Sequence, residues 1–288
     1  MEAALWLYLF VLNGIMVHAN QYGKGRIAST FPAPTCCQTD SCLTDNRSRH
    51  AFVTSLRSED YLVGLQELAC SLNRSNPGVP LIVLGVEGDL SSDTIAEIKQ
   101  VAEYQLVEDI SINNTHHPRF ALNWMKIRAW AMTEYDAIIM LDCDVIVLSS
   151  LEHIFQLPTD FAWTEHQGPD NWFWNSGGFV FLRPCKKVQD YMINLVQTHS
   201  HLQFTDFLAE QTFFRWYFKH TGIRLPMTYN ANALQLDKNE TAGGEAPKVV
   251  HFADAPKHFN AKPSDDVWQF LCWQPQQLQQ KQEKNRLV

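Results

Sequence analysis

Ala137-Ile138-Ile139-Met140-Leu141-Asp142-Cys143-Asp144-Val145-Ile146-Val147-Leu148 decides the fold. Its first five residues form the strongest strand signal in the chain, apolar at every position, as in a parallel sheet covered on both faces. Two acids then stand where the apolar run ends. Carboxylates at i and i+2 of a strand share a face, and at a strand end they look into the crevice where α/β sheets collect ligands. Two charges left at the end of a buried strand are costly unless something compensates them. A divalent cation bridged by a diphosphate is one such compensation; a plain Asp-x-Asp turn closing a strand is the other reading of the triplet.

Upstream, strand and helix alternate. Ala51-Phe52-Val53-Thr54 reads as a short buried strand, and Leu62, Leu65, Leu68, Ala69 and Leu72 follow at helical spacing. Leu81 to Val86 is a second strand. Ser91 or Ser92 caps a helix carrying Ile95, Ile98 and Val101, with Asp93 near its N-terminus. A third strand is expected at Leu106-Val107 and a helix over Leu122–Met132. Such alternation implies right-handed crossovers and a mostly parallel central sheet flanked by helices, an α/β domain. Downstream, Phe161–Thr164, Gly178–Leu182 and Val249–Phe252 read as strands, and Lys187–Thr198 and Glu210–His220 as helices.

The 288 residues, 45% of them apolar, suffice for one large domain with a substantial core. A formal charge of −8 without any basic stripe argues against nucleic acid as a partner. Residues 1–19 read as a signal peptide: an apolar run from Ala3 to Val17, then Val17-His18-Ala19 as a cleavage site. Uncleaved, the segment is a signal anchor, the only circumstance in which a membrane enters; a buried N-terminal helix is the third reading. Residues 20–48 form a polar stem, 49–273 the domain, and 274–288 a Gln-rich tail expected to be disordered. Sequons at Asn46, Asn73, Asn113 and Asn239, and seven cysteines, suit the lumen of the secretory pathway, Golgi or endoplasmic reticulum, or secretion. The cluster Cys36, Cys37, Cys42 fits disulfides better than zinc, because no Cys/His pair follows at finger spacing.

The run from Asp142 through Leu148, continued by Leu151-Glu152-His153-Ile154-Phe155, resembles the signature of glycosyltransferase family 8, which includes glycogenins, galactinol synthases and plant glucuronosyltransferases. Other blocks agree in order. Ala51–Thr54 with Tyr61 resembles the family's opening strand and its uracil-stacking tyrosine, and Lys126 the lysine ahead of the metal strand. Asn175-Ser176-Gly177-Gly178-Phe179 resembles its acceptor-side motif, Glu210-Gln211 its Asp/Glu-Gln block, and Val249–Phe252 with Lys257 its terminal His-Phe-Leu-Gly-x-x-Lys-Pro-Trp element. The resemblance implies a GT-A fold. It implies Mn²⁺, or another divalent cation, on Asp142, Asp144 and His251. It places Val53, Thr54, Tyr61, Cys143 and Lys126 at the nucleotide-sugar donor, Lys257 on the diphosphate, and Asn175, Glu210 and Gln211 along the sugar and acceptor side.

The activity so implied is retaining transfer of a hexosyl group from a UDP-sugar to a glycan, glycoprotein or glycolipid. The alternative is a catalytically weak binding protein of the same fold. Departures bear on both. Asp254 stands where the family carries glycine beside the phosphate, and a carboxylate about 4 Å from a diphosphate charge costs roughly 4 kcal/mol at an effective dielectric of 20, so Asp254 is expected to point away. His258-Phe259 replaces Pro-Trp, Arg57 and Ser58 replace the Thr and Asn of glycogenins, and Leu225–Leu236 holds no counterpart of the glycogenin acceptor tyrosine.

Overall fold

The computed structural model describes residues 11–12, 15–16, 49–110, 112, 122–167, 173–198, 209–233 and 245–253, of which 11–12, 15–16, 165–167 and 173–175 are described by their backbone only. From the N-terminal segment this leaves a two-residue antiparallel ladder, Val11–Leu12 with Ile15–Met16. The rest of 1–19, the stem 20–48 and the tail 274–288 lie outside the described residues, as do Asp254, Lys257, His258 and Phe259. Among the described residues no helix is long and apolar enough to cross a membrane.

Five elements open the domain: β1 (His50–Ser55), α1 (Leu62–Ser75), β2 (Leu81–Gly85), α2 (Ser92–Val101) and β3 (Glu103–Leu106). β1 pairs with β2 and β2 with β3, all in parallel. α1 forms because Leu65, Leu68 and Leu72 recur on one side and are buried there. Ser91 caps α2, its hydroxyl accepting from the Thr94 N–H at 3.3 Å. A 3₁₀ helix, Leu122–Ala131, leads to β4 (Ala137–Leu141), which lies parallel to β1 on its other side. β5 (Val145–Val147) follows, then β6 (Phe161–Gln167), β7 (Phe173–Leu182), α3 (Lys186–Thr198), α4 (Glu210–Tyr217), β8 (Ile223–Leu225), β9 (Ala231–Asn232) and β10 (Val249–His251).

The main sheet has the order β8-β6-β7-β4-β1-β2-β3, and every strand but β7 runs the same way. Both faces are covered. On β4, Ala137, Ile139 and Leu141 join the cluster packed by α1 and α2, while Ile138 and Met140 join the one packed by the 3₁₀ helix, α3 and α4. This two-sided burial is why the strand reads as unbroken apolar sequence. The expected mostly parallel α/β sheet is therefore found.

Details differ from the sequence expectations. The strand placed at Leu106-Val107 begins at Glu103. It is the polar edge of the sheet, with Glu103, Gln105 and Leu106 exposed, so no buried apolar run marks it. The helix expected over Leu122–Met132 is wound as 3₁₀, an unusually long run of that form. The helix expected to reach His220 ends at Tyr217. The strand expected at Gly178–Leu182 is the second half of β7, which starts at Phe173 and contains Asn175-Ser176-Gly177.

Candidate active site

At the carboxyl end of β4 the chain turns through Asp142, Cys143 and Asp144 into β5. That strand leaves the main sheet to join a smaller one of order β9-β10-β5. The antiparallel register of β5 on β10 sets His251 opposite Val145, and the Phe252 N–H donates to the Asp144 carbonyl at 3.0 Å. The imidazole is thereby delivered to the acids. His251 Nε2 stands 3.2 Å from Asp144 Oδ1 and 3.9 Å from Asp142 Oδ2. One ligand atom from each of Asp142, Asp144 and His251 lies within 4.8 Å of the others. Asp144 and His251 are buried and Asp142 is partly open. Two oxygens and an imidazole nitrogen suit Mn²⁺, Zn²⁺ or Fe²⁺.

Lys126 reaches the same place from the 3₁₀ helix. Its Nζ lies 2.8 Å from Asp142 Oδ1 and 3.1 Å from Glu210 Oε1, and donates to the Gly177 carbonyl at 3.5 Å. Lys126 is 2% exposed and Glu210 0%. Burial opposes the ammonium charge, but Asp142 and then Glu210 outweigh it and raise the lysine above its ordinary range. Burial raises the Glu210 carboxyl, with Lys126 opposing. Among the described residues, three carboxylates (Asp142, Asp144, Glu210) thus stand around one ammonium. The two negative charges left over are what a divalent cation would offset, so the residues present fit such an ion.

Two glycines allow this crowding. A Cβ on Gly177 would come within 2.8 Å of Lys126 Nζ, 2.9 Å of Glu210 Oε1 and 3.3 Å of Gln211 Cγ. A Cβ on Gly178 would fall onto the His251 ring and 2.9 Å from Asn230 Oδ1. Both sit where β7 bulges: Trp163 pairs with Val180 but Thr164 with Ser176, leaving residues 177–179 as an excess on β7. The bulge turns the Gly177 carbonyl toward Lys126 and the Gly178 carbonyl toward the Asp142 N–H, 3.3 Å away.

The remaining expected site residues are placed as follows. Gln211 lies on α4 against Gly177. Tyr61 is exposed in the turn between β1 and α1. Val53 is buried in the core against the 3₁₀ helix, and Thr54 contacts the Cys143 sulfur at 3.2 Å, so these two support the site from beneath. Cys143 also donates to the Ser55 carbonyl at 3.3 Å. Burial, with Asp142 and Asp144 adding, pushes its thiol up to about 12, the mark of an inert packing cysteine. Asn175 lies in β7 opposite Glu165, with its backbone alone described. Lys257 lies outside the described residues. Sequence reasoning missed the close approach at Gly177 and Gly178. It also missed Asn230, a buried amide whose Nδ2 and Oδ1 have no hydrogen-bond partner among the described residues. A Gly-Gly pair inside an apolar strand was the available signal for the first; none marked the second.

The family model described as Glycosyl transferase family 8 matches residues 53–262. Galactinol synthase 1 from Solanum lycopersicum is 26% identical over 242 residues, which is 74% of either chain. Glycogenin-2 from Homo sapiens is 28% identical over 255 residues, 85% of this chain and 50% of its own length. Among solved structures, galactosyltransferase LgtC in complex with donor and acceptor sugar analogs has the same fold, with a TM-score of 0.55 at 15% identity, covering 72% of this chain and 88% of that one.

Proposed function

The chain belongs to glycosyltransferase family 8 and is a UDP-sugar glycosyltransferase, and on that premise we propose that it transfers a hexosyl group, with Mn²⁺ and retention of configuration, to a carbohydrate-bearing or lipid acceptor in the secretory pathway. The observation that carries the reading is the trio Asp142, Asp144 and His251 beside the buried Lys126–Glu210 pair at the end of β4. A divalent cation on the trio supplies Lewis-acid stabilisation of the charge on the departing nucleoside diphosphate.

The chain's own groups do the rest. Asp142, Asp144 and His251 would hold that ion at the diphosphate end of the site. Lys126, fixed by Asp142 and Glu210, presents its ammonium beside the donor sugar. Gln211, against the Gly177 bulge, is assigned to the sugar side, and Asn175 is assigned there by its place in the Asn-Ser-Gly motif. Glu210 is fully buried and engaged by Lys126, which suits it poorly as the nucleophile of a double displacement. Front-face attack is accordingly proposed, the leaving phosphate helping to deprotonate the acceptor. Lys257 would act on the diphosphate from the segment after β10. The transferase unit is taken as 49–273. Disulfide-bonded Cys70 and Cys185, and an exposed sequon at Asn73 on α1, support a lumenal location.

The test is UDP release by the purified chain from a panel of UDP-sugars with Mn²⁺, then with chelator, beside Asp144→Ala. Release that needs both the ion and Asp144 is expected, and it names the donor. Release undiminished by chelator and by Asp144→Ala would sink the metal-centred reading, and an inverted anomeric product would sink retention.

A further inference from the structure

Past the metal trio, the carboxyl edge of the sheet continues over β1, β2 and β3, and a second charge cluster stands there. Arg57, just after β1, donates from Nε to Asp89 Oδ2 and from Nη1 to Asp109 Oδ1, both at 2.5 Å. Its Nη2 lies 3.4 Å from the other oxygen of each. Asp89 belongs to the loop after β2 and Asp109 to the loop after β3. One guanidinium therefore ties three successive loops. The Ser91 N–H donates to Glu59 Oε1 at 2.9 Å, binding the first two loops again, and Arg128 donates to the Glu108 carbonyl at 2.9 Å, anchoring the third to the 3₁₀ helix. The Arg57 side chain is 11% exposed, while that of Asp109 is 45% exposed. Burial works against the Arg57 charge, yet hydrogen bonds to Asp89 and Asp109 raise it above its ordinary range.

The position of this clasp follows from what fills the other side. Lys126, Glu210 and Gly177 occupy the β7 flank of the trio. A diphosphate on the trio with its sugar toward them leaves the nucleoside to run the opposite way, over β1, β2 and β3. Tyr61, 37% exposed, stands in the first of the three loops. We infer that Arg57 is a positioning residue for the nucleoside end of the donor: its fork to Asp89 and Asp109 fixes three loops as one preformed rim and offsets carboxylates that would otherwise face an anionic nucleotide. The inference rests on the donor-binding reading above. A preordered rim spares the donor the entropy of assembling it, so the effect belongs in affinity rather than in the chemical step.

The experiment measures UDP binding with Mn²⁺ by calorimetry, and KM and kcat for the UDP-sugar, on wild type, Arg57→Ala and Arg57→Lys. Unfolding temperature without nucleotide is read alongside. Arg57→Ala is expected to raise Kd and KM on the order of tenfold, with kcat within about twofold. Arg57→Lys keeps the charge but loses the fork, so it should fall between the two and remain the decisive variant if Arg57→Ala does not fold. Wild-type Kd in Arg57→Lys, or a fall in kcat with Kd unchanged, overturns the inference while leaving donor binding intact. Failure of the wild type itself to bind UDP overturns the donor reading and this inference with it.

Discussion

Lys126 shows how much a single side chain does here. It is cut off from water, and among the described residues its charge is met by Asp142 and Glu210, with the Gly177 carbonyl beside them. Removing one partner of a buried pair leaves an uncompensated charge, at a cost of about 3–5 kcal/mol. Lys126→Met should therefore destabilise the chain by that order in urea unfolding. Lys126→Met combined with Glu210→Gln should cost less than the sum of the two single changes, because the groups are in direct contact. Additive losses would mean that the pair is not coupled in solution as its geometry requires. Sequence alone placed Lys126 within an expected helix; only the fold shows that this lysine faces inward.

The elements around the site divide into those the sequence displayed and those it hid. β4 and the Asp-x-Asp triplet were legible because burial on both faces leaves an unbroken apolar run, and charges at its end are conspicuous. The reversal of β7 was not legible, since strand direction leaves no mark in composition. Its bulge at Gly177 and Gly178 was not either, because a three-residue register excess depends on the partner strand. His251 was found through the order of motifs, whereas the register of β10 on β5 is what delivers it. The bulge carries its own prediction. Neither glycine has a left-handed backbone, so substitution there acts through space alone. Gly178→Ala sets a methyl on the His251 ring and should weaken Mn²⁺ affinity roughly 10–100-fold, as disturbed support of a metal ligand does. Gly177→Ala instead pushes on Lys126 and Glu210, and should lower kcat with Mn²⁺ affinity less affected. Mn²⁺ titration of activity separates the two, and equal effects on both quantities would contradict the division.

For the whole molecule, stability should follow pH and redox state in predictable directions. Burial holds His50 and His153 below the ordinary 6.5, with Lys248 adding at His153. The unfolded chain then binds protons more readily, so their contribution is intact above about pH 6.5 and is lost as pH falls below it. His153→Gln, which removes one of the two, should make the loss of Tm between pH 7 and pH 5 shallower than in wild type; a parallel slope would mean His153 titrates normally. Redox state tests the fold against its proposed compartment. Cys70 and Cys185 are disulfide-bonded, whereas Cys143 is a buried free thiol. A disulfide contributes about 2–4 kcal/mol, and a domain of this size shifts by roughly 2–4 °C per kcal/mol. Reduction should lower Tm on the order of 10 °C and leave Cys143 unreactive to a thiol reagent until unfolding. An unchanged Tm would remove the bonds as a reason for folding in an oxidising lumen. Early labelling of Cys143 would mean instead that the ground beneath Asp142 and Asp144 opens in the native state.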